Sequence, residues 1–126
     1  MRTLLIANTL FEGAVGIAML FFIKSVLPDM DLSASELAIY RGFGVAALTM
    51  AMVSVLVLGS PDEDRVFFFG ILLLMIYHLG QTIVQSINAY HGYTPLPIAA
   101  MHGFLYFAFT LMFMRKRAAK GQAKPS

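Results

Sequence analysis

The chain has 126 residues, 59% of them hydrophobic and 13% charged, with a mean hydropathy of +0.76. A soluble domain is about 45–50% apolar and about 25% charged, so a water-soluble globule is excluded. With no cysteine there are no disulfides, thiolate metal sites or cysteine nucleophile, and the net charge of +2 comes mostly from one basic tail and does not point to nucleic acid.

The hydrocarbon core of a bilayer, about 30 Å thick, takes roughly 20 apolar residues as a helix. Four stretches of that size follow one another, at about residues 3–23, 37–58, 66–89 and 96–114. Short connectors make sequential helices antiparallel. The expected fold class is therefore all-α, an integral membrane antiparallel four-helix bundle. Residues 1–114 would form a single four-span domain and residues 115–126 a basic cytoplasmic tail.

The first span, TLLIANTLFEGAVGIAMLFFI, places Asn8, Glu12 and Gly16 four residues apart on one face. Its apolar stretch is too long for a signal peptide, Glu12 lies inside it and no small-x-small cleavage site follows, so it is expected to be retained. The connector 24–36 carries Pro28, two Asp and two Ser; Ser33 or Ser35 suits a helix cap, with Glu36 in the first turn. In the second span Arg41 shares a face with Leu48 and Met52, and Gly42 and Ala46 form a small-x-x-x-small pair that would admit a neighbouring helix. GSPDEDR then makes a tight turn holding Asp62, Glu63 and Asp64.

The third span opens on FFFGILLLM and then carries His78, Gln81, Gln85 and Asn88. At about 100° per residue these four fall within a sector of about 80°. Phe67, Gly70 and Leu74 continue the stripe. A one-sided polar stripe on a membrane helix faces protein or water. Gly92, Pro95 and Pro97 end this helix, Tyr90 and Tyr93 suit a membrane interface, and His91 is read as a solvated loop residue. The fourth span aligns His102, Tyr106 and Thr110, again four residues apart.

Arg115, Lys116, Arg117, Lys120 and Lys124 follow that span, Arg2 precedes the first span, and Arg65 lies between the second and third; the opposite side has only Lys24. The positive-inside rule then puts both termini in the cytoplasm. Counted from the outer end of each span at 1.5 Å per residue, Glu12 and His78 lie roughly 16 Å deep, His102 roughly 9–10 Å and Arg41 roughly 6–7 Å. An unpaired charge at such depth costs about 2.5–3.5 kcal/mol, and pairing Arg41 with Glu12 would lessen that.

These residues suggest a polar pocket in the outer half of the membrane. Glu12, His78 and His102 are the candidate acid–base groups, and Arg41, Tyr40, Gln81, Gln85, Tyr106 and Asn8 the candidate substrate-binding groups. The same residues also fit plainer roles: a structural ion pair for Glu12 and Arg41, and interhelical hydrogen bonds for the histidines and amides. A metal held by Glu12, His78 and His102 has a reasonable donor set, but no fixed-spacing motif such as HExxH accompanies it, and no metal is assigned. No phosphate loop, Ser-x-x-Lys set or nucleophile elbow is present, and no cofactor has a motif to support it.

Two segments carry a resemblance. An apolar, glycine-containing first helix precedes LPDMDLSASELAIYRGFG, with its Pro-containing loop and Arg-Gly opening of the second helix. HLGQTIVQSINAYHGYTP then combines a helix glycine with a Gly-x-x-Pro exit. This order resembles the small bacterial four-helix membrane proteins of the DoxX-like group, over nearly the whole chain. The resemblance implies the fold and a bacterial inner-membrane location. Named DoxX-type proteins are associated with quinone-linked sulfur oxidation, while many relatives have no assigned activity, and a chain without cysteine does not suit a thiol-based redox role.

Three functions stay open on this reading. The first is a site that binds an amphiphilic small molecule, such as a quinone, isoprenoid or lipid-like metabolite, with acid–base chemistry of the isomerase, cyclase or hydratase type. The second is a non-catalytic accessory subunit among other membrane subunits. The third is a haem or metal electron carrier.

Overall fold

The computed structural model describes residues 2–28, 30–60 and 63–122. Asp62 of the acidic turn and Lys124 of the tail lie outside the described residues. The fold is all-α: five helices and, among the described residues, no strand. Four of the helices are long and apolar enough to cross a membrane, the content compatible with a four-helix bundle. The described residues divide into two compact helical hairpins, one within residues 2–59 and one within residues 60–122.

The first hairpin comprises α1 (Arg2–Phe21), α2 (Ile23–Val26) and α3 (Ala34–Gly59). The one-turn helix α2 extends helical structure into the connector, with Phe22 N–H still bonded to Ala18 O at 2.9 Å. Ser33 starts α3 with a reciprocal capping box. The Ser33 hydroxyl accepts from the Glu36 N–H (3.3 Å), and the Glu36 carboxylate accepts from the Ser33 N–H (2.8 Å) and hydroxyl (2.5 Å). Ser33→Ala should weaken the start of this helix by about 1 kcal/mol, read as faster hydrogen exchange of the Glu36 amide with the middle of α3 unchanged.

Register in this hairpin is antiparallel. Asn8 meets Ser54, Gly13 faces Ala51 and Gly16 meets Gly44, so positions rise on α1 as they fall on α3. The approach is tightest at the two glycines. A Cβ on Gly16 would lie 2.9 Å from the Gly44 carbonyl oxygen, and one on Gly44 would lie 2.9 Å from that of Gly16. The small-residue face of α3 is thus Gly44, Ala47 and Ala51, all buried. This corrects the expectation for Gly42 and Ala46: a Cβ on Gly42 would meet nothing within 4 Å.

The second hairpin comprises α4 (Asp64–Tyr90) and α5 (Leu96–Gln122). Its register is also antiparallel, with Phe68 beside Phe113, His78 beside His102 and Thr82 beside Gly103. The last helix does not stop with the apolar run at Met114 but continues through Arg115, Lys116, Arg117 and Lys120. Lys, Arg and Ala are good helix formers, and Asp64 in the first turn of α4 pairs with Lys116 (3.5 Å) and Lys120. The connector doubles back. Gly92 takes a positive φ of 76°, Tyr93 N–H bonds Asn88 O at 2.8 Å and the Thr94 hydroxyl reaches Gln85 O at 3.5 Å. Consequently α5 begins alongside the last turns of α4 rather than level with its end.

Both hairpins leave large apolar side chains uncovered, among them Leu10 (68% exposed), Met52 (72%), Phe69 (69%) and Phe104 (66%). Exposed apolar side chains of this number are compatible with helices that cross a membrane.

Candidate functional site

In α4 the buried stripe runs Phe67, Gly70, Ile71, Leu74 and His78, spaced three, four and seven residues apart as one helix face requires. In α5 the buried face carries His102, Leu105, Phe109 and Met112. These two faces meet, and the antiparallel register sets the two imidazoles against each other. His78 Nδ1 lies 3.0 Å from His102 Nδ1, with the rings 5.3 Å apart between centroids and tilted by 34°. Both residues are buried, His78 completely.

Aromatic rings hold the pair. Phe109 stacks on His78 at 5.6 Å and 17°, and Tyr77 stands edge-on to His78 (5.1 Å) and His102 (6.1 Å). The Thr82 hydroxyl bonds back to His78 O at 2.7 Å, which keeps that hydroxyl within its own helix. Gly103 lies opposite, where an added Cβ would sit 3.5 Å from the Thr82 methyl carbon.

For two neutral imidazoles the 3.0 Å contact sets the proton inventory. A neutral imidazole has one N–H donor and one bare acceptor nitrogen. Two N–H groups cannot point at each other across this distance, so one Nδ1 carries the hydrogen and the other accepts it. The accepting ring then carries its own hydrogen on Nε2. A proton added to Nε2 of the donor ring leaves the contact intact. Shifting the shared hydrogen across the contact lets the second ring release its Nε2 proton. The pair can therefore take a proton at one end and deliver one at the other.

Farther along α4, Gln81 and Gln85 are half-buried, and Gln85 Nε2 donates to Gln81 Oε1 at 3.3 Å. The Gln85 Oε1 atom is buried and accepts no hydrogen bond among the described residues. Asn88 and Tyr106 are half-buried, and the Thr110 hydroxyl returns to Tyr106 O at 2.8 Å. His91 is exposed and packs against Tyr90 and Tyr93.

In the other hairpin, Asn8, Glu12 and Gly16 are all buried, as one α1 face. Asn8 Nδ2 donates to the buried Ser54 hydroxyl at 2.9 Å. Tyr40 is half-buried. Arg41 is exposed, and among the described residues no ion pair joins it to Glu12. The expected Glu12–Arg41 pairing is thereby corrected. The buried stripe of α3 runs through Gly44, Ala47, Ala51, Ser54 and Val57, centred about 120° of helix rotation away from Arg41. Met52, on the same side as Arg41, is 72% exposed.

The depth difference expected between His78 and His102 does not hold, because their rings touch. Counting from the outer end of each helix assumed that the ends were level, whereas α4 extends past the start of α5.

Comparison with protein-family models, curated proteins and solved structures finds no match. The functional reading therefore stands on this geometry. Three members of the buried constellations were not selected from sequence: Tyr77, Phe109 and Ser54. Phe109 follows His102 by seven residues, two helical turns, and Ser54 follows Ala47 at the same interval. That spacing was the available signal.

Proposed function

We propose that this chain is a multi-pass protein of the bacterial inner membrane, with both termini in the cytoplasm. On this proposal it binds an amphiphilic small molecule, such as a quinone, isoprenoid or lipid-like metabolite. It acts on that molecule by acid–base chemistry through the His78–His102 pair. The observation that carries the proposal is the 3.0 Å Nδ1 contact between two buried imidazoles. A pair that accepts a proton at one nitrogen and returns one from another is suited to isomerisation, cyclisation or hydration. Each of these moves a proton on or off the substrate without needing an electron carrier.

Further observations support it. The four long apolar helices and their outward Leu, Phe and Met side chains fit an acyl-chain environment. Arg and Lys concentrate at the ends assigned to the cytoplasm. The resemblance to the DoxX-like group agrees with the inner-membrane location. The unsatisfied Gln85 Oε1 offers an acceptor to a hydroxyl-bearing ligand, and leaving such an atom unbonded costs about 1–3 kcal/mol. Glu12, the buried carboxylate of the α1–α3 hairpin, is a further group able to exchange a proton.

The test uses the full chain in lipid nanodiscs prepared in deuterium oxide, loaded separately with a short-chain quinone and an unsaturated isoprenoid alcohol. Native mass spectrometry reads retention, and analysis of the extracted amphiphile reads solvent deuterium at carbon. The native chain should retain one of the two and label it. His78→Ala and His102→Ala should each slow labelling by about 10²–10⁴, the usual worth of general acid–base catalysis. Glu12→Gln tests that residue separately. Retention without labelling removes the catalytic part of the proposal, and retention of neither probe removes the whole.

A further inference from the structure

A second feature of the α4–α5 hairpin lies at the opposite end from its connector. Phe68, Phe69 and Leu72 of α4 and Phe113 of α5 line a groove of about 340 Å³, and Arg117 and Lys120 stand at its rim. The spacing makes this one feature. Phe113, Arg117 and Lys120 lie four and seven residues apart along α5, and Phe68 and Phe69 lie four and three residues before Leu72 on α4. Phe68 and Phe113 meet edge to face at 5.2 Å and form the floor.

We propose that this groove seats one anionic phospholipid, with an acyl chain along the aromatic side chains and the phosphate against Arg117 and Lys120. This rests on the membrane reading above and is independent of the histidine chemistry. Small-ligand sites span about 300–1,000 Å³, so this groove takes part of an acyl chain and a headgroup, not a whole folded ligand. Charge selects the headgroup. Asp64 pairs with both Lys116 and Lys120, and Glu63 stands beside it at the start of α4, outside the groove lining. Lys116 also sits 4.5 Å over the Phe67 ring, and Lys120 sits 5.4 Å over Phe68. Two lysines around one aspartate leave positive charge over. Arg117 adds to it, with no ion pair among the described residues. A neutral headgroup would make no use of this rim, and a free phosphate would leave the four apolar side chains uncovered. The helical continuation of α5 past Met114 holds Arg117 and Lys120 within two turns of Phe113, at the step from apolar to polar surroundings.

Native mass spectrometry of the detergent-solubilised full chain can test this with phosphatidylglycerol and phosphatidylcholine of matched acyl chains. The native chain should retain phosphatidylglycerol preferentially. Arg117→Gln should lower that retention about fivefold and Arg117→Gln/Lys120→Gln about 30-fold, from the usual worth of one basic residue at an anionic surface. Arg115→Gln removes the same charge about 160° around the helix from Phe113, and should leave the preference unchanged. Equal retention of the two lipids overturns the proposal. So does an Arg115→Gln loss as large as that of Arg117→Gln, displacement by inorganic phosphate, or a homodimer that excludes lipid. Resistance of the chain to carbonate extraction from membranes is read separately. A chain released by carbonate defeats the membrane reading itself, whereas equal lipid retention in a carbonate-resistant chain defeats the lipid seat alone.

Discussion

Gly44→Val and Gly16→Val should each destabilise the α1–α3 hairpin severely, while Gly42→Val, two residues away, should be tolerated. At both sensitive positions the first added carbon would lie 2.9 Å from a backbone carbonyl oxygen of the facing helix. A flexible side chain can turn aside from such a contact. Leu48 and Leu20, which also crowd these sites, can do so in part. A carbonyl in a helix cannot move without its helix, so the two axes must separate. Overpacking typically costs about 1–3 kcal/mol. Separation would also strain the buried Asn8–Ser54 hydrogen bond two turns away, so the upper part of that range is expected. Out of a total stability of about 5–15 kcal/mol, such a loss lowers the midpoint of denaturant unfolding in micelles well beyond experimental scatter. At Gly42 an added carbon meets nothing within 4 Å. There Gly42→Ala should stabilise α3 by up to about 1 kcal/mol through helix propensity. If Gly42→Val proved as harmful as Gly44→Val, the α1–α3 register described above would be wrong.

That pair of glycines shows where sequence ran out. Helix number, helix type and approximate ends follow from four apolar runs and the Pro, Gly and Ser between them, because span length and turn chemistry are local. Rotation about the helix axis is different. In α3 the face toward α1 and the exposed face are both apolar, so no contrast marks the inner side. Gly42 with Ala46, and Gly44 with Ala47 and Ala51, were equally plausible contact faces. With the first face inward Arg41 would point into the hairpin, whereas in the structure it is exposed. On α4 and α1 the contrast exists. His78 and Glu12 are hydrogen-bonding groups among apolar neighbours, so their burial could be read directly. Axial register between α4 and α5 depends on how far the connector folds back, through Gly92, Tyr93 and Thr94. That geometry is not encoded in a residue count. The histidines were therefore placed on the right faces but at different heights.

The histidine pair admits the most demanding test. His78→Phe keeps a planar ring against Phe109 but removes both nitrogens, and it leaves the His102 Nδ1 without its bond. Stranding a buried polar atom costs about 1–3 kcal/mol. His102→Phe should cost a similar amount from the other side. The double variant removes both sides of that bond together, so it should be more stable than the two single losses predict by addition. A coupling within the range of about 0.5–3 kcal/mol is expected for residues in contact. Activity should behave the same way. If the two rings pass one proton between them, removing either stops the relay, and removing both should add little to the loss of about 10²–10⁴. Nitrogen-15 spectra of the imidazoles supply the direct readout. The native chain should show one of these rings as the Nδ1–H tautomer and the other as the Nε2–H tautomer, and His78→Phe should abolish the shared-hydrogen signal of His102. Strictly additive losses, or two identical tautomers in the native chain, would mean that the rings act separately, and the proton relay would have no structural basis.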